Sequence, residues 1–124
     1  IAPAPDFTAK LMEPAFDADA RRALAESGVW MRPSLYEEPY PITQAFLDDG
    51  RTWSVLDAPV SFDGPVRILQ GQQDPDVPWR HALLTAEKLT SSDVQIRLIK
   101  DGDHRLSSES DIARLLATVE ALCD

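Results

Sequence analysis

The chain has 124 residues, and its 12 Lys and Arg against 21 Asp and Glu give a formal charge of −9. A hydrophobic content of 44% excludes a wholly disordered chain, and no apolar run approaches the ~20 residues that a membrane-spanning helix needs. The acidic balance argues against nucleic acids and anionic membranes as partners, because both are bound through clustered Lys and Arg.

The first half of the chain has the pattern of short helices broken by turns. All ten prolines lie in the first 78 residues, which leaves little room for long helices in residues 1–63. One helix is predicted over residues 17–27, with an acidic start and a glycine directly after its end. A second is predicted over residues 41–49, with proline in its first turn and glycine after it. The segment between them, residues 29–36, is expected to be irregular.

The second half of the chain is more regular. Its apolar spacing predicts a buried strand over residues 66–70, a helix over 79–89 and a half-buried strand over 94–100. A last helix begins at Ser108 with a sequence that resembles a capping box. The order strand, helix, strand, helix predicts a parallel sheet with a right-handed crossover. Two strands are too few for such a sheet, so we expect its other strands elsewhere.

Two loops follow the predicted strands and contain the residues most suited to chemistry. Asp74 lies in the loop of residues 71–78, and His104 lies in the loop of residues 100–105. Because the carboxyl ends of parallel strands meet at one edge of a sheet, we expect these two side chains to be hydrogen-bonded. An Asp bonded to a His fixes the tautomer of the imidazole and stabilises the imidazolium during general-base catalysis.

Structural interpretations of the same residues stand beside this one. Asp74 precedes a proline and is suited to open a turn, Asp76 is suited to cap the following helix, and His104 is suited to simple exposure. His81 lies inside a predicted helix, where a surface or packing role is expected. A metal site is the weakest reading, because the candidate ligands lack the spacing of a known metal motif: Asp74, His81, Asp103 and His104.

The sequence around both loops resembles the α/β-hydrolase family. The run PVRILQGQQDPDVP at residues 65–78 is similar to the penultimate strand of that family with its G-x-x-D-x-x-V-P loop. The run KDGDH at residues 100–104 is similar to the histidine loop after the last strand, and residues 1–7 resemble the strand end that enters the cap. Residues 101–107, DGDHRLS, resemble small esterases of the palmitoyl-protein thioesterase and acyl-glucuronide esterase type.

This resemblance implies an α/β fold that is the C-terminal part of an α/β-hydrolase. Residues 1–6 would end a core strand, residues 7–63 would form a helical cap or lid, and residues 64–124 would form the C-terminal strand–helix–strand–helix part. By the same resemblance, Asp74 is the acid and His104 is the general base of a Ser-Asp-His triad. The implied substrate is an acyl ester or thioester, and neither a metal nor an organic cofactor is expected.

The nucleophile motif of that family, G-x-S-x-G, does not occur in the chain. A complete fold of this kind takes roughly 200–250 residues. We therefore expect the serine and the oxyanion-hole loop in a missing N-terminal half, and we expect the isolated chain to be inactive and to self-associate. The alternative is a non-catalytic binding or structural unit with the same fold. The single Cys123 forms no disulfide within the chain, which favours a reducing compartment and predicts a cytoplasmic protein.

Overall fold

The computed structural model describes residues 1–34 and 38–123. Residues 35 and 36 of the segment expected to be irregular lie outside the described residues. The chain divides into two compact units, Asp6–Ser54 and the combination of Ile1–Pro5 with Val55–Asp124.

The unit Asp6–Ser54 begins with a short π-helix, Thr8–Met12, and a 3-10 turn, Glu13–Ala15. Helix α1, Ala18–Ser27, follows the prediction closely. The Asp17 side chain accepts a hydrogen bond from a backbone N–H of the first turn at 2.8 Å, which caps the helix. The helix ends at Gly28, whose φ of 72° lies in the left-handed region that glycine adopts without strain.

The region after α1 differs from the prediction. Strand β1, Val29–Arg32, pairs antiparallel with strand β2, Tyr40–Thr43. Helix α2 is Gln44–Thr52, so the predicted start at residue 41 was wrong. The cause is the Thr43 side chain, which accepts a bond from the third backbone N–H after it at 3.0 Å and sets the helix start. The expected end was also wrong: Gly50 lies inside the helix, where a Cβ would overlap the Thr8 side chain.

The core of this unit is formed by side chains from helices α1 and α2 and from strand β2. Leu24, Ile42 and Leu47 are buried against one another. Partly buried side chains surround them: Met12, Phe16 and Trp30. The Phe16 and Trp30 rings meet edge to face at a centroid distance of 5.2 Å, a favourable aromatic geometry. The expectation that residues 7–63 form a cap over the sheet stays a prediction.

The second unit contains the predicted parallel strands. Strand β3, Val66–Gly71, and strand β4, Val94–Ile99, pair in parallel with their first and last residues in register. Helix α3, Trp79–Lys88, connects them. No strand is assigned to residues 1–6, although the backbone N–H of Ala2 donates to Leu69 O at 3.0 Å beside β3.

The last helix, α4, is Glu109–Cys123. Its predicted start is confirmed, because the Asp111 backbone N–H donates to Ser108 Oγ at 3.2 Å and Ser108 Oγ donates to Asp111 Oδ2 at 2.5 Å. Leu115 packs against a buried cluster of Leu69, Ile99 and Leu106. Four other apolar side chains of α4, which we call the α4 stripe, are 40–56% exposed: Ile112, Leu116, Val119 and Leu122. Within the described residues, none of the helices is long and apolar enough to cross a bilayer.

Candidate active site

Asp74 is the centre of the loop that follows β3. Its Oδ1 accepts hydrogen bonds from the backbone N–H groups of Asp76 at 2.8 Å and Val77 at 2.9 Å. These bonds close the loop as an Asx-type turn, so the turn-forming interpretation of Asp74 is right. They leave Oδ2 as the oxygen that interacts outside the loop.

Asp103 shapes the loop that follows β4. Its Oδ1 accepts bonds from the backbone N–H groups of Arg105 at 3.1 Å and Leu106 at 2.8 Å. Leu106 has a φ of 46°, an unfavourable value for leucine, yet its side chain is buried in the core. The loop is therefore anchored on both sides of His104, which fixes the backbone from which the imidazole projects.

The two loops are joined through their backbones. Gln72 N–H donates to Ile99 O at 2.8 Å, and Gln73 N–H donates to Gly102 O at 3.0 Å. At Gly71 the approach is so close that a Cβ would lie 2.3 Å from Gly102 O. Only glycine fits there, and this close approach brings Asp74 and His104 to the same place.

The predicted contact between Asp74 and His104 is confirmed. His104 Nδ1 lies 2.9 Å from Asp74 Oδ2. Because an ionised carboxylate only accepts, the shared proton resides on Nδ1 and the lone pair of the neutral ring is on Nε2. The Asp74 side chain is fully buried, whereas that of His104 is 46% exposed. The pair therefore has a protected acid and a base whose ring is open to an incoming group.

The electrostatics of the pair favour its charged form. Burial raises the pKa of Asp74, but the hydrogen bonds from Val77, His104 and Asp76 outweigh burial and lower that pKa below its ordinary value. The hydrogen bond to Asp74 raises the pKa of His104, and the negative charges of Asp74, Asp76 and Asp103 add to this against a small opposing effect of burial. The imidazolium that forms when His104 takes up a proton is thus stabilised.

Sequence reasoning missed Gln70, the residue before Gly71. Its side chain is fully buried, and its Nε2 lies 3.2 Å from Asp74 Oδ2. The available signal was a long polar side chain directly after the apolar residues Ile68 and Leu69 of the predicted strand. A residue of this kind has to find buried hydrogen-bond partners. Here the end of β3 and the acid loop supply acceptors for Nε2, whereas Oε1 has no hydrogen-bond partner among the described residues.

The other titratable candidates have different places. His81 is buried in α3, and its Nε2 donates to Pro5 O at 2.8 Å, which is a packing role. Asp74, Asp76 and His104 each offer one ligand atom within 4.8 Å of the others. However, each oxygen of Asp74 already accepts two hydrogen bonds. Its lone pairs are thus occupied, which disfavours this cluster as a metal centre.

Solved structures of other proteins share the fold of this chain. No protein-family model matches the chain. A solved structure from Agrobacterium vitis S4, named a hydrolase, aligns with 99% of the chain at 44% identity and a TM-score of 0.89. The alpha/beta hydrolase domain-containing protein 10 from mouse aligns with 99% of the chain at 30% identity and a TM-score of 0.84. The chain belongs to the α/β-hydrolase fold family.

The curated relatives that match this chain are named thioesterases. The mitochondrial palmitoyl-protein thioesterase of Mus musculus is 32% identical over 112 residues, or 89% of the chain. That of Homo sapiens is 32% identical over 108 residues, or 86% of the chain. The chain spans only 38% and 35% of these two relatives and about half of each solved structure. The expected fold, a part of an α/β-hydrolase, is confirmed.

Proposed function

We propose that this chain supplies the acid, Asp74, and the general base, His104, of a Ser-Asp-His triad in a hydrolase of carboxylic esters or thioesters. The observation that carries the proposal is the 2.9 Å bond between a buried carboxylate and an accessible imidazole. The bond lies at the ends of two parallel strands, where α/β proteins gather their reactive groups.

The proposed reaction is the transfer of an acyl group from the substrate first to a serine and then to water. A serine hydroxyl attacks the carbonyl carbon of the substrate while His104 Nε2 takes the hydroxyl proton. Asp74 holds the ring in the correct tautomer and stabilises the imidazolium through Nδ1. The imidazolium then gives its proton to the departing alcohol or thiol, which leaves a serine ester. Water, activated by the same base, hydrolyses that ester and releases the carboxylic acid.

The proposed partner of the chain is a segment that bears the nucleophile. The G-x-S-x-G motif does not occur in this sequence, and the relatives extend well beyond the aligned region. The α4 stripe supports a covering partner, because four neighbouring apolar side chains are half exposed along one helix. We propose that this segment covers the stripe and that the isolated chain self-associates through it.

The test uses the native protein, assayed with a short-chain nitrophenyl ester and a thioester and labelled with a serine-directed phosphonate. His104→Ala is expected to lower kcat/KM by at least about 10³-fold, and Asp74→Asn by about 10⁴-fold, because the latter favours the wrong tautomer. Asp101→Asn is the matched control, since it makes the same carboxyl-to-amide change in the loop after β4. It should leave kcat/KM within about 2-fold.

Retained activity in His104→Ala would refute the assignment of the base. The second candidate function is a non-catalytic binding or structural unit, which absence of G-x-S-x-G from the native gene product would favour. A native protein of 13.7 kDa that takes up no phosphonate would support that candidate. A larger mass with one labelled serine would support the hydrolase.

We infer a cytoplasmic location from the single Cys123. The thioesterase relatives are named mitochondrial. Fractionation of the source cells, with detection of the native protein, distinguishes the two locations.

A further inference from the structure

Gln70 is a polar side chain with no exposure to solvent. It is the penultimate residue of strand β3, directly before Gly71, after which the acid loop continues to Asp74. Burial of an amide away from water is unfavourable unless the protein supplies hydrogen-bond partners. The partners of Gln70 therefore indicate why an amide occupies this position.

The Gln70 amide nitrogen faces three oxygens. Nε2 lies 3.1 Å from Gly71 O, 3.1 Å from Val77 O and 3.2 Å from Asp74 Oδ2. All three oxygens are hydrogen-bond acceptors. If the amide group were rotated by 180°, its own oxygen would face these three oxygens and would be repelled by them. The orientation of the side chain is therefore fixed by its surroundings.

These bonds connect both ends of the acid loop to its functional residue. The two hydrogens of Gln70 Nε2 are shared among Gly71 O at the end of β3, the carboxylate of Asp74, and the carbonyl of Val77, two residues before helix α3. Asp74 Oδ1 is already held by two backbone N–H groups. The side chain of Gln70 is thus the second donor on Oδ2, beside His104.

We propose that Gln70 is a positioning residue that holds Asp74 Oδ2 in line with His104 Nδ1. The inference deepens the proposed function and rests on it for its effect on catalysis. The positioning of Asp74 by Gln70 does not rest on the proposed function. It concerns only the bond between Asp74 and His104, which can be measured without substrate.

Two effects of Gln70 on this bond have opposite signs. A donor on Oδ2 withdraws negative charge, so its loss alone would strengthen the bond to His104 and raise the pKa of the imidazole further. Loss of positioning would instead lengthen the bond and lower the pKa of His104 toward its ordinary value. The direction of the change therefore separates a positioning role from a merely electrostatic one.

The experiment replaces Gln70 with Met, which has similar length and no donor, in the native protein. NMR titration of the ring nitrogens is expected to give His104 a lower pKa than in the wild type. Asp74→Asn removes the carboxylate and gives the pKa of His104 expected when the bond to Asp74 is lost completely. Ile68→Ala is the matched control, because it removes buried packing from the same strand without touching the loop bonds. Its His104 titration should match the wild type.

Activity provides the second measurement. In Gln70→Met, kcat/KM is expected to fall roughly 10- to 100-fold, as for a small misplacement of a catalytic group, with the acidic limb of its pH profile moved to lower pH. If Gln70→Met does not fold, Gln70→Asn keeps an amide in the cavity but draws its nitrogen back from Asp74. The same two shifts are expected of Gln70→Asn.

An unchanged or raised pKa of His104 in the folded Gln70 variant would overturn the proposal. An equal lowering in Ile68→Ala would also overturn it, because general loosening of β3 would then explain the effect. Full activity in His104→Ala would instead refute the proposed function, while the titration would still decide the role of Gln70.

Discussion

Replacement of Gly71 by Ala tests whether the contact between the two loops positions the acid and the base. The added Cβ would lie 2.3 Å from Gly102 O and 2.4 Å from Asp103 O, both of which are backbone atoms. Ordinary carbon–oxygen contacts are about 3.3–3.6 Å, so the loops must separate by about 1 Å. That movement strains the packing and breaks the bond from Gln73 N–H to Gly102 O. Together these changes should destabilise the native protein by about 2–4 kcal/mol.

The assay is equilibrium unfolding by denaturant combined with NMR titration of His104. We expect a lower unfolding midpoint and a lower pKa of His104, because a 1 Å displacement, roughly, separates its ring from Asp74. Gly28→Ala is the control. Gly28 has a φ of 72° and no atom within 4 Å of an added Cβ, so its penalty is only conformational, about 1–2 kcal/mol. That variant should leave the His104 titration unchanged.

The reasoning is refuted if Gly71→Ala unfolds within about 0.5 kcal/mol of the wild type, the range of an ordinary surface substitution. A destabilised variant with an unaltered His104 titration would refute the second part alone. It would show that the two loops can separate without disturbing the pair.

Three further outcomes are expected. The folded protein lowers the pKa of Asp74, so the stability that Asp74 contributes is present above pH 3.8 and is lost as the pH falls through its pKa in the folded state. The folded protein raises the pKa of His104, so the stability that His104 contributes is complete below pH 6.5 and is lost as the pH rises through its pKa in the folded state. The unfolding midpoints of wild type and Asp74→Asn should therefore differ most between about pH 4 and 6.5. Leu47→Ala, at a side chain only 1% exposed, should lower the free energy of unfolding by about 2–5 kcal/mol in denaturant titrations, whereas half-exposed Phe46→Ala should cost less than about 1 kcal/mol. Leu116→Glu should shift residues 1–124 alone to smaller species in sizing chromatography, and an unchanged elution profile would exclude the α4 stripe as the self-association surface.

The parts of the fold that were predicted correctly are those that local sequence patterns determine. The Asp17 cap and the left-handed Gly28 delimit α1 through contacts within a few residues. Strand β3 is a short run whose burial its apolar residues predict, whereas the alternation in β4 ends at Leu98, which is exposed, and Ile99, which is buried. Asp74 and His104 come together because parallel pairing in register carries the end of each strand to the same edge. These outcomes depend on rules that act over short segments.

The parts that were missed depend on contacts between distant segments. β1 forms through pairing of Met31 with Pro41, which no local pattern in either segment predicts. Pro41 suits the first turn of a helix, but it also fits a two-stranded edge where its missing N–H is not required. The role of Gln70 was hidden because its acceptors are set by the loop conformation and not by the strand that contains it.

The division of the chain into two units has a consequence for how such a sequence can change over time. Every hydrogen-bond partner described for Asp74 and His104 lies between residues 70 and 104, outside Asp6–Ser54. The core of Asp6–Ser54 is likewise built from its own residues, around Leu24 and Leu47. Substitutions in Asp6–Ser54 can therefore accumulate without removing any of these described bonds. The two units can diverge at different rates, and Asp6–Ser54 can be exchanged in chimaeras without replacing any residue that bonds to the pair.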